Sequence, residues 1–306
     1  MNSVSLLAPA KINLYLKIVG DRLDGYHELV MLMQSIELSD ILRFHLNGTE
    51  NIRLFCDNPA VPTDQSNLIF KAVNLLKDKY KDAYHNFGGV DITLDKRIPI
   101  AAGVAGGSGN AAATLVGLNL LWKLNLNLEQ LTLLAAQLGS DVPFSLVGGT
   151  ALATGRGEKL QSLPPLEQLW LVLAKYESLG ISTAWAYQTY RKNFSDTYGQ
   201  NKQENFPLLD AVLAKDFEQI GKLLHNDLEK VVLVNYPQVQ NLRDILGQFG
   251  TIGTMMSGSG PSVFTLCRTE QEALQIQQQL KSQINDSDLK VWTTRLIGKG
   301  IQVIGS

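Results

Sequence analysis

Hydrophobic and polar residues alternate from Val4 to Val19, and Ile12, Leu14, Leu16 and Ile18 predict a strand with one buried face. Ala8-Pro9-Ala10 interrupts the pattern, so the stretch reads as two strands or as one bent strand. Lys11, Asn13, Tyr15 and Lys17 fall on the opposite face, so Lys11 and Asn13 point the same way. That face is either a solvated sheet face or a functional one. A loop from Gly20 to Gly25 leads into Tyr26, His27 and Glu28, then an apolar run from Leu29 to Ile36. An aromatic beside a histidine at a loop exit suits a flat heterocycle; it equally suits a packing pair at a boundary. Ile41 to Phe55 reads as a hairpin turning at Asn47-Gly48.

A helical stripe of Leu68, Ala72, Leu75 and Leu76 marks a helix from Asp64 to Tyr84, its start capped or interrupted by Ser66 or Asn67. A short strand, Val90 to Leu94, delivers the chain to Lys96 and to Arg97–Thr114, where Pro99 precedes Gly103, Gly106, Gly107 and Gly109. An alanine-rich helix follows at once and runs to about Trp122. Glycines bring backbone N–H groups close to a ligand, and a helix start adds unpaired N–H groups and a positive dipole end. The stretch therefore reads as a phosphate cradle or as an ordinary tight turn. It lacks the lysine of a Walker A loop and the spacing of a dinucleotide fingerprint. A second helix starts near Asn127, where Asn127-Leu128-Glu129-Gln130 resembles a capping box, and continues through Gln137. In Gly139-Ser140-Asp141-Val142-Pro143-Phe144, Asp141 reads as a helix cap or as a functional carboxylate on a rigid turn.

Short strands around Gly148-Gly149-Thr150 and Thr154-Gly155-Arg156-Gly157 close the first half, and Pro164-Pro165 marks a boundary. The second half reads as a strand from Leu169 to Lys175, then a loop entering a helix between Gly180 and Tyr190, with Ser182 or Thr183 as its cap. An irregular polar stretch from Asp196 to Asn205 precedes helices from Phe206 to Leu224 and from Tyr236 to Leu246. Met255 to Ser262 is a second small-residue loop, ahead of a strand from Val263 to Cys267. A helix from Glu270 to Gln283, a strand from Lys290 to Leu296 and a terminal strand complete the chain. Strands and helices without regular alternation predict a two-domain α+β protein, not a Rossmann fold or a barrel.

Composition narrows the function classes. Lys+Arg 27 against Asp+Glu 29 gives no basic excess, which argues against nucleic acid as a partner. No apolar run is long enough for a membrane span, so no membrane partner and a cytoplasmic location are expected. Cys56 and Cys267 cannot build a disulfide framework, and four scattered histidines do not make a catalytic zinc site.

Pro9 to Leu16, Gly25-Tyr26-His27, Ser66-Asn67-Leu68, Pro99 to Ala112, Gly139 to Phe144 and Met256 to Phe264 occur in an order and spacing that resembles the GHMP small-molecule kinases. Within them, Gly-Tyr-His and Gly-Ser-Asp-Val-Pro-Phe match the branch acting on 4-diphosphocytidyl-2-C-methyl-D-erythritol. The resemblance implies an N-terminal ATP-binding domain like ribosomal protein S5 domain 2 over residues 1–163. It also implies a C-terminal GHMP kinase α/β domain over 164–306, whose last strand packs back on the first. It further implies ATP and Mg²⁺, phosphorylation of the 2-hydroxyl in the non-mevalonate isoprenoid pathway, and a monomer or weak homodimer.

By the same resemblance Asp141 is the general base and Lys11 its partner. Asn13, Tyr26, His27, Thr183, Tyr187 and Gly258 hold the acceptor with Asp141, the two tyrosines stacking on cytosine and His27 bonding its edge. Asn67, Lys96 and Pro99 lie on the nucleotide side with Gly103, Ala105, Gly106, Gly107, Ser108, Gly109 and Asn110. Ser257-Gly258-Ser259-Gly260 closes the site. No direct metal ligand is assigned. Val104, Ala105 and Gly109 replace the Leu, Gly and Ser of the usual loop, which implies strain at Ala105 if its φ is positive and one hydroxyl fewer for phosphate. Homoserine, mevalonate or galactose kinases share the loop but have no use for the Tyr-His pair. A non-catalytic nucleotide- or nucleic-acid-binding module would not need Lys11 and Asp141.

Overall fold

The computed structural model describes residues 1–198 and 206–305. Two long antiparallel strands, β1 (Ser3–Asp21) and β2 (His27–Leu46), form its spine. β1 is a single bent strand, its register with β2 shifting between Pro9 and Ala10 and again between Asn13 and Tyr15. Pro9 has no N–H to give the ladder. Two residues on, the Lys11 N–H bonds the Val104 carbonyl at 3.1 Å. The polar face is not solvated at these positions: Lys11 is 5% exposed and Asn13 fully buried.

The chain continues through β3 (Ile52–Cys56), α1 (Leu68–Lys79), α2 (Lys81–Phe87) and β4 (Val90–Asp95). The hairpin expected across Ile41 to Phe55 does not form. β4 lies between its two strands, antiparallel to β2 and parallel to β3. Asn47 still makes a turn by accepting the Thr49 N–H at 3.0 Å. Val90, Ile92 and Leu94 are buried, however, and β4 gains ladder partners on both edges by taking the central place. The helix expected from Asp64 to Tyr84 starts at Leu68 and breaks at Tyr80 into α1 and α2.

Next come α3 (Gly106–Leu121), α4 (Leu128–Leu138), α5 (Val142–Val147), β5 (Thr150–Gly155) and β6 (Lys159–Leu163). The capping box at Asn127 and Gln130 opens α4. Ala111, Ala112 and Ala113 are fully buried, so α3 packs close to the sheet. Gly117 faces Phe44 so closely that a Cβ there would lie 2.9 Å from its ring.

The second half holds β7 (Trp170–Tyr176), α6 (Thr183–Phe194), α7 (Pro207–Ala214), α8 (Phe217–Lys222), β8 (His225–Asn226), α9 (Glu229–Asn235) and α10 (Pro237–Gly247). After them run β9 (Gly253–Met256), β10 (Val263–Cys267), α11 (Glu270–Gln283), β11 (Leu289–Arg295) and β12 (Gln302–Gly305). The long helix expected from Phe206 is two helices, because Lys215 takes a left-handed φ of 54°. Of the polar stretch from Asp196 to Asn205, residues 199–205 lie outside the described residues.

The second half's antiparallel sheet runs β11-β7-β10-β9. Ile12 and Leu14 of β1 pack with Leu32 and Ile36 of β2, Leu171 and Leu173 of β7, and Phe264 of β10 in one buried cluster. Two late strands also join the first sheet: β8 runs parallel to β1 at Tyr15 and Leu16, and β12 pairs with β1 at Ser5 to Leu7. Among the described residues no helix is long and apolar enough to cross a membrane.

Asp227 fastens this junction. Its carboxylate accepts the Ile18 N–H of β1 at 2.8 Å and the Lys230 ammonium at 2.7 Å, with His225 at 3.1 Å. Burial opposes the charge, but the His225, Lys230 and Ile18 bonds prevail and hold its pKa at about 2. A depressed carboxyl pKa stabilises the fold above the unfolded value, and the contribution is lost as pH falls through about 2. Asp227→Asn is expected to cost about 1–2 kcal/mol at neutral pH and to flatten the acid limb between about pH 4 and about pH 2. Thermal melts across that range check it; an unchanged acid limb would contradict it.

Candidate active site

A cavity of about 810 Å³ opens between the two halves, within the range of small-molecule sites. Its floor is β1. The Lys11 ammonium donates to Asn13 Oδ1 at 2.7 Å and stands 3.5 Å from Asp141 Oδ2, while the Asn13 amide reaches Met31 Sδ at 3.5 Å. Asp141 occupies the cap position of α5, yet its side chain caps nothing. The carboxylate faces Lys11 instead, so the capping alternative is not realised.

One arm of the cavity is the glycine stretch. Gly103 has φ 72° and Ala105 φ 59°, and α3 begins at Gly106 directly after the left-handed alanine. Gly107, Ser108 and Asn110 line the cavity. Asn110 Oδ1 is buried without a hydrogen-bond partner. Gly109 does not line it: a Cβ there would lie 3.3 Å from the Pro9 carbonyl, toward β1. The glycine thus serves helix–strand packing, and the absent serine removes no side chain pointing at the cavity. Lys96 and Pro99 line this arm, as does Asn67. The Asn67 side chain also caps α1, accepting the Ile69 N–H at 2.9 Å and donating to the Pro62 carbonyl at 2.7 Å.

The second small-residue loop lies backbone to backbone against the first. A Cβ on Gly103 would lie 2.3 Å from the Ser257 carbonyl oxygen, and one on Gly258 would lie 2.8 Å from the Gly103 carbonyl oxygen. Side chains are excluded from both positions. Asn226 holds the loop from behind, donating to the Met256 and Gly258 carbonyls at 2.8 Å each.

The other arm is aromatic. His27 and Tyr187 of α6 face each other with centroids 5.1 Å apart, and Tyr26 stands exposed at the rim under the Arg156 guanidinium at 4.8 Å. His27 Nε2 is buried with no hydrogen-bond partner. Burial and the Arg191 charge push the imidazole pKa down, opposed by Asp21 at 3.5 Å. Burial, aided by Asp141, pushes the Tyr187 hydroxyl pKa well up, so the hydroxyl keeps its proton. Thr183 Oγ1 meets Ser259 Oγ at 3.0 Å, tying α6 to the second loop, and Ser182 caps the helix.

Residues 67–149 match the family described as GHMP kinases N terminal domain, and residues 208–286 match GHMP kinases C terminal. A protein of Gloeothece citriformis (strain PCC 7424), named 4-diphosphocytidyl-2-C-methyl-D-erythritol kinase, is 54% identical, covering 99% of this chain and 99% of its own. The chain belongs to that kinase family. A crystal structure of 4-(cytidine 5'-diphospho)-2C-methyl-D-erythritol kinase matches the kinase with a TM-score of 0.75 at 32% identity, covering 97% of this chain and 100% of its own. Homoserine kinase from Cytophaga hutchinsonii ATCC 33406 shares the fold alone, with a TM-score of 0.71 at 18% identity over 99% of this chain and 98% of its own.

Of the residues singled out from sequence, Gly109, Ser257 and Gly260 do not line this cavity of the kinase, and the others do. Sequence reasoning missed Arg156, Arg191, Asn226 and Asp40. Arg191 bonds Asp21 at 2.8 Å and the Gly25 carbonyl at 3.1 Å, a contact between α6 and the Tyr26 loop with no local signal. Arg156, flanked by Gly155 and Gly157, did carry one: a charged side chain on a glycine turn.

The left-handed Ala105 makes a separate prediction. A Cβ in that conformation costs about 1 kcal/mol, partly offset by glycine's greater freedom in the unfolded chain. Ala105→Gly is expected to raise stability by about 0.5–1 kcal/mol, read as a higher melting temperature. A lower one would show that the alanine is not strained.

Proposed function

We propose that the kinase transfers the γ-phosphoryl group of ATP to the 2-hydroxyl of 4-diphosphocytidyl-2-C-methyl-D-erythritol, a step of the non-mevalonate isoprenoid pathway. The observation that carries this reading is the Lys11–Asp141 pair, 3.5 Å apart where the two arms of the cavity meet. One arm has the N–H groups and dipole that suit a triphosphate; the other has the rings and histidine that suit a pyrimidine.

Phosphoryl transfer needs alignment, a proton acceptor and cationic stabilisation more than covalent chemistry. Asp141 accepts the proton of the 2-hydroxyl, and Lys11 orients that carboxylate and offsets charge on the transferring group. Asn13 fixes the Lys11 ammonium by its 2.7 Å bond. The N–H groups of Gly106 to Ser108 hold the β- and γ-phosphates at the start of α3. Tyr26 and Tyr187 stack on the cytosine, and His27, kept neutral by burial, bonds its edge. Asn67 and Lys96 take the nucleoside side of ATP.

Among the described residues no three His, Cys, Asp or Glu side chains converge as a metal cage. The partnerless Oδ1 of Asn110 and the Ser108 hydroxyl are oxygens suited to a Mg²⁺ carried on the nucleotide. Such an ion, when bound, neutralises phosphate charge.

The test is incubation of the purified protein with ATP, Mg²⁺ and separate acceptors: the cytidyl substrate, homoserine, mevalonate and galactose. ADP and a phosphorylated product with the cytidyl acceptor alone are expected. Product with another acceptor, and none with this one, would overturn the assignment.

A further inference from the structure

Asp40 of β2 is a fully buried carboxylate with three charge-assisted bonds and no part in the chemistry above. Its Oδ1 accepts the backbone N–H groups of Arg97 and Ile98 at 2.8 Å each, and its Oδ2 accepts the Lys96 ammonium at 2.6 Å. Arg97 and Ile98 follow the end of β4, where no ladder takes up their N–H groups. Lys96 lies at the nucleotide arm: its side chain is 6% exposed, it lines the cavity, and a Cβ on Gly106 would lie 3.0 Å from its Nζ. The ammonium therefore stands beside the first residue of α3.

A buried ion pair is a poor source of stability, since desolvation of both charges cancels much of their attraction. An ammonium has three N–H donors, and Asp40 takes one. The others are placed at a cavity wall, where a ligand oxygen or ring nitrogen is the available acceptor. We propose that Asp40 is a positioning residue for nucleotide binding, holding the Lys96 ammonium charged at the start of α3 and clamping the entry of the glycine stretch. This rests on the ATP-side reading of that arm.

Among the described residues, Asp40 from β2 bonds the ammonium, the start of α3 lies beside it, and the Cys56 thiol of β3 acts on it electrostatically. Burial lowers the Lys96 pKa, while Asp40 and Cys56 raise it. Without the Asp40 charge the pKa falls further, and the ammonium is lost as pH rises.

Asp40→Asn keeps an oxygen for the Arg97 and Ile98 N–H groups and removes both the charge and the oxygen that accepts from Lys96. Titration with ADP should show affinity at about pH 8 reduced about 10-fold, recovering toward wild type at about pH 6, with the wild type flat over that range. Acceptor KM should stay within about twofold, a split that a merely structural role would not produce. Lys96→Met should lose the same affinity at every pH, and the double variant should bind no worse than Lys96→Met. ADP affinity of Asp40→Asn within about twofold of wild type at both pH values, or an equal loss for the acceptor, would overturn the proposal. If Asp40→Asn does not fold, Lys96→Met decides, and unchanged ADP affinity there overturns it too. ADP binding by wild type without phosphorylation of any acceptor would reject the kinase reaction and leave the Asp40 test standing.

Discussion

Asp141→Asn is expected to lower turnover by roughly 10²–10⁴-fold while folding and ATP affinity remain near wild type. The carboxylate caps no helix, so exchanging it for an amide removes no cap bond, and its side chain is partly exposed to the cavity. What it loses is the capacity to accept a proton beside Lys11. Circular dichroism, nucleotide titration and a coupled ADP assay check the three parts separately. Turnover within about threefold of wild type would remove Asp141 from the base role.

The second large effect concerns the acceptor. Stacking on a base is worth about 1–3 kcal/mol, so Tyr26→Ala or Tyr187→Ala should weaken the cytidyl acceptor roughly 5- to 150-fold and leave ATP binding nearly unchanged. Tyr26 is 54% exposed, so its removal opens no core cavity and its melting temperature should barely move. Tyr187 packs against His27 and should lose some stability as well. His27→Ala should weaken the same ligand and blur discrimination against a uridine counterpart, because cytosine and uracil present different donor and acceptor edges. Binding of both analogues to wild type and to the three variants, alongside melts, measures this. Equal binding of the two analogues by wild type would remove the cytidyl assignment.

Local chemistry made much of this molecule readable in advance. The capping box at Asn127, the strand–glycine–helix passage and the two-domain α+β class depend on neighbours in sequence. Long-range competition was not readable. Asn47-Gly48 is a sound turn signal, yet nothing within Ile41 to Phe55 announces that β4 will insert there from 34 residues beyond Cys56. The same blindness left open whether Lys11 faced water: alternation assigns it to a face, and what meets that face comes from Asp141 and from Gly258 of the distant second loop. Gly109 shows a third limit. A glycine among phosphate-loop glycines looks like part of the cradle, and only the approach of Pro9 shows it serving helix–strand contact.

The interlacing of late strands into the first sheet bears on how the chain is made. A ribosome releases β1 long before β8 and β12, which pair with one of its edges at Tyr15–Leu16 and at Ser5–Leu7. Until Gln302–Gly305 emerges, part of that edge stays open, an invitation to pair with another nascent chain. The first half is thus not a self-sufficient unit during synthesis, and a ribosome stalled after Pro165 would hold out a strand whose remaining partners are still unwritten.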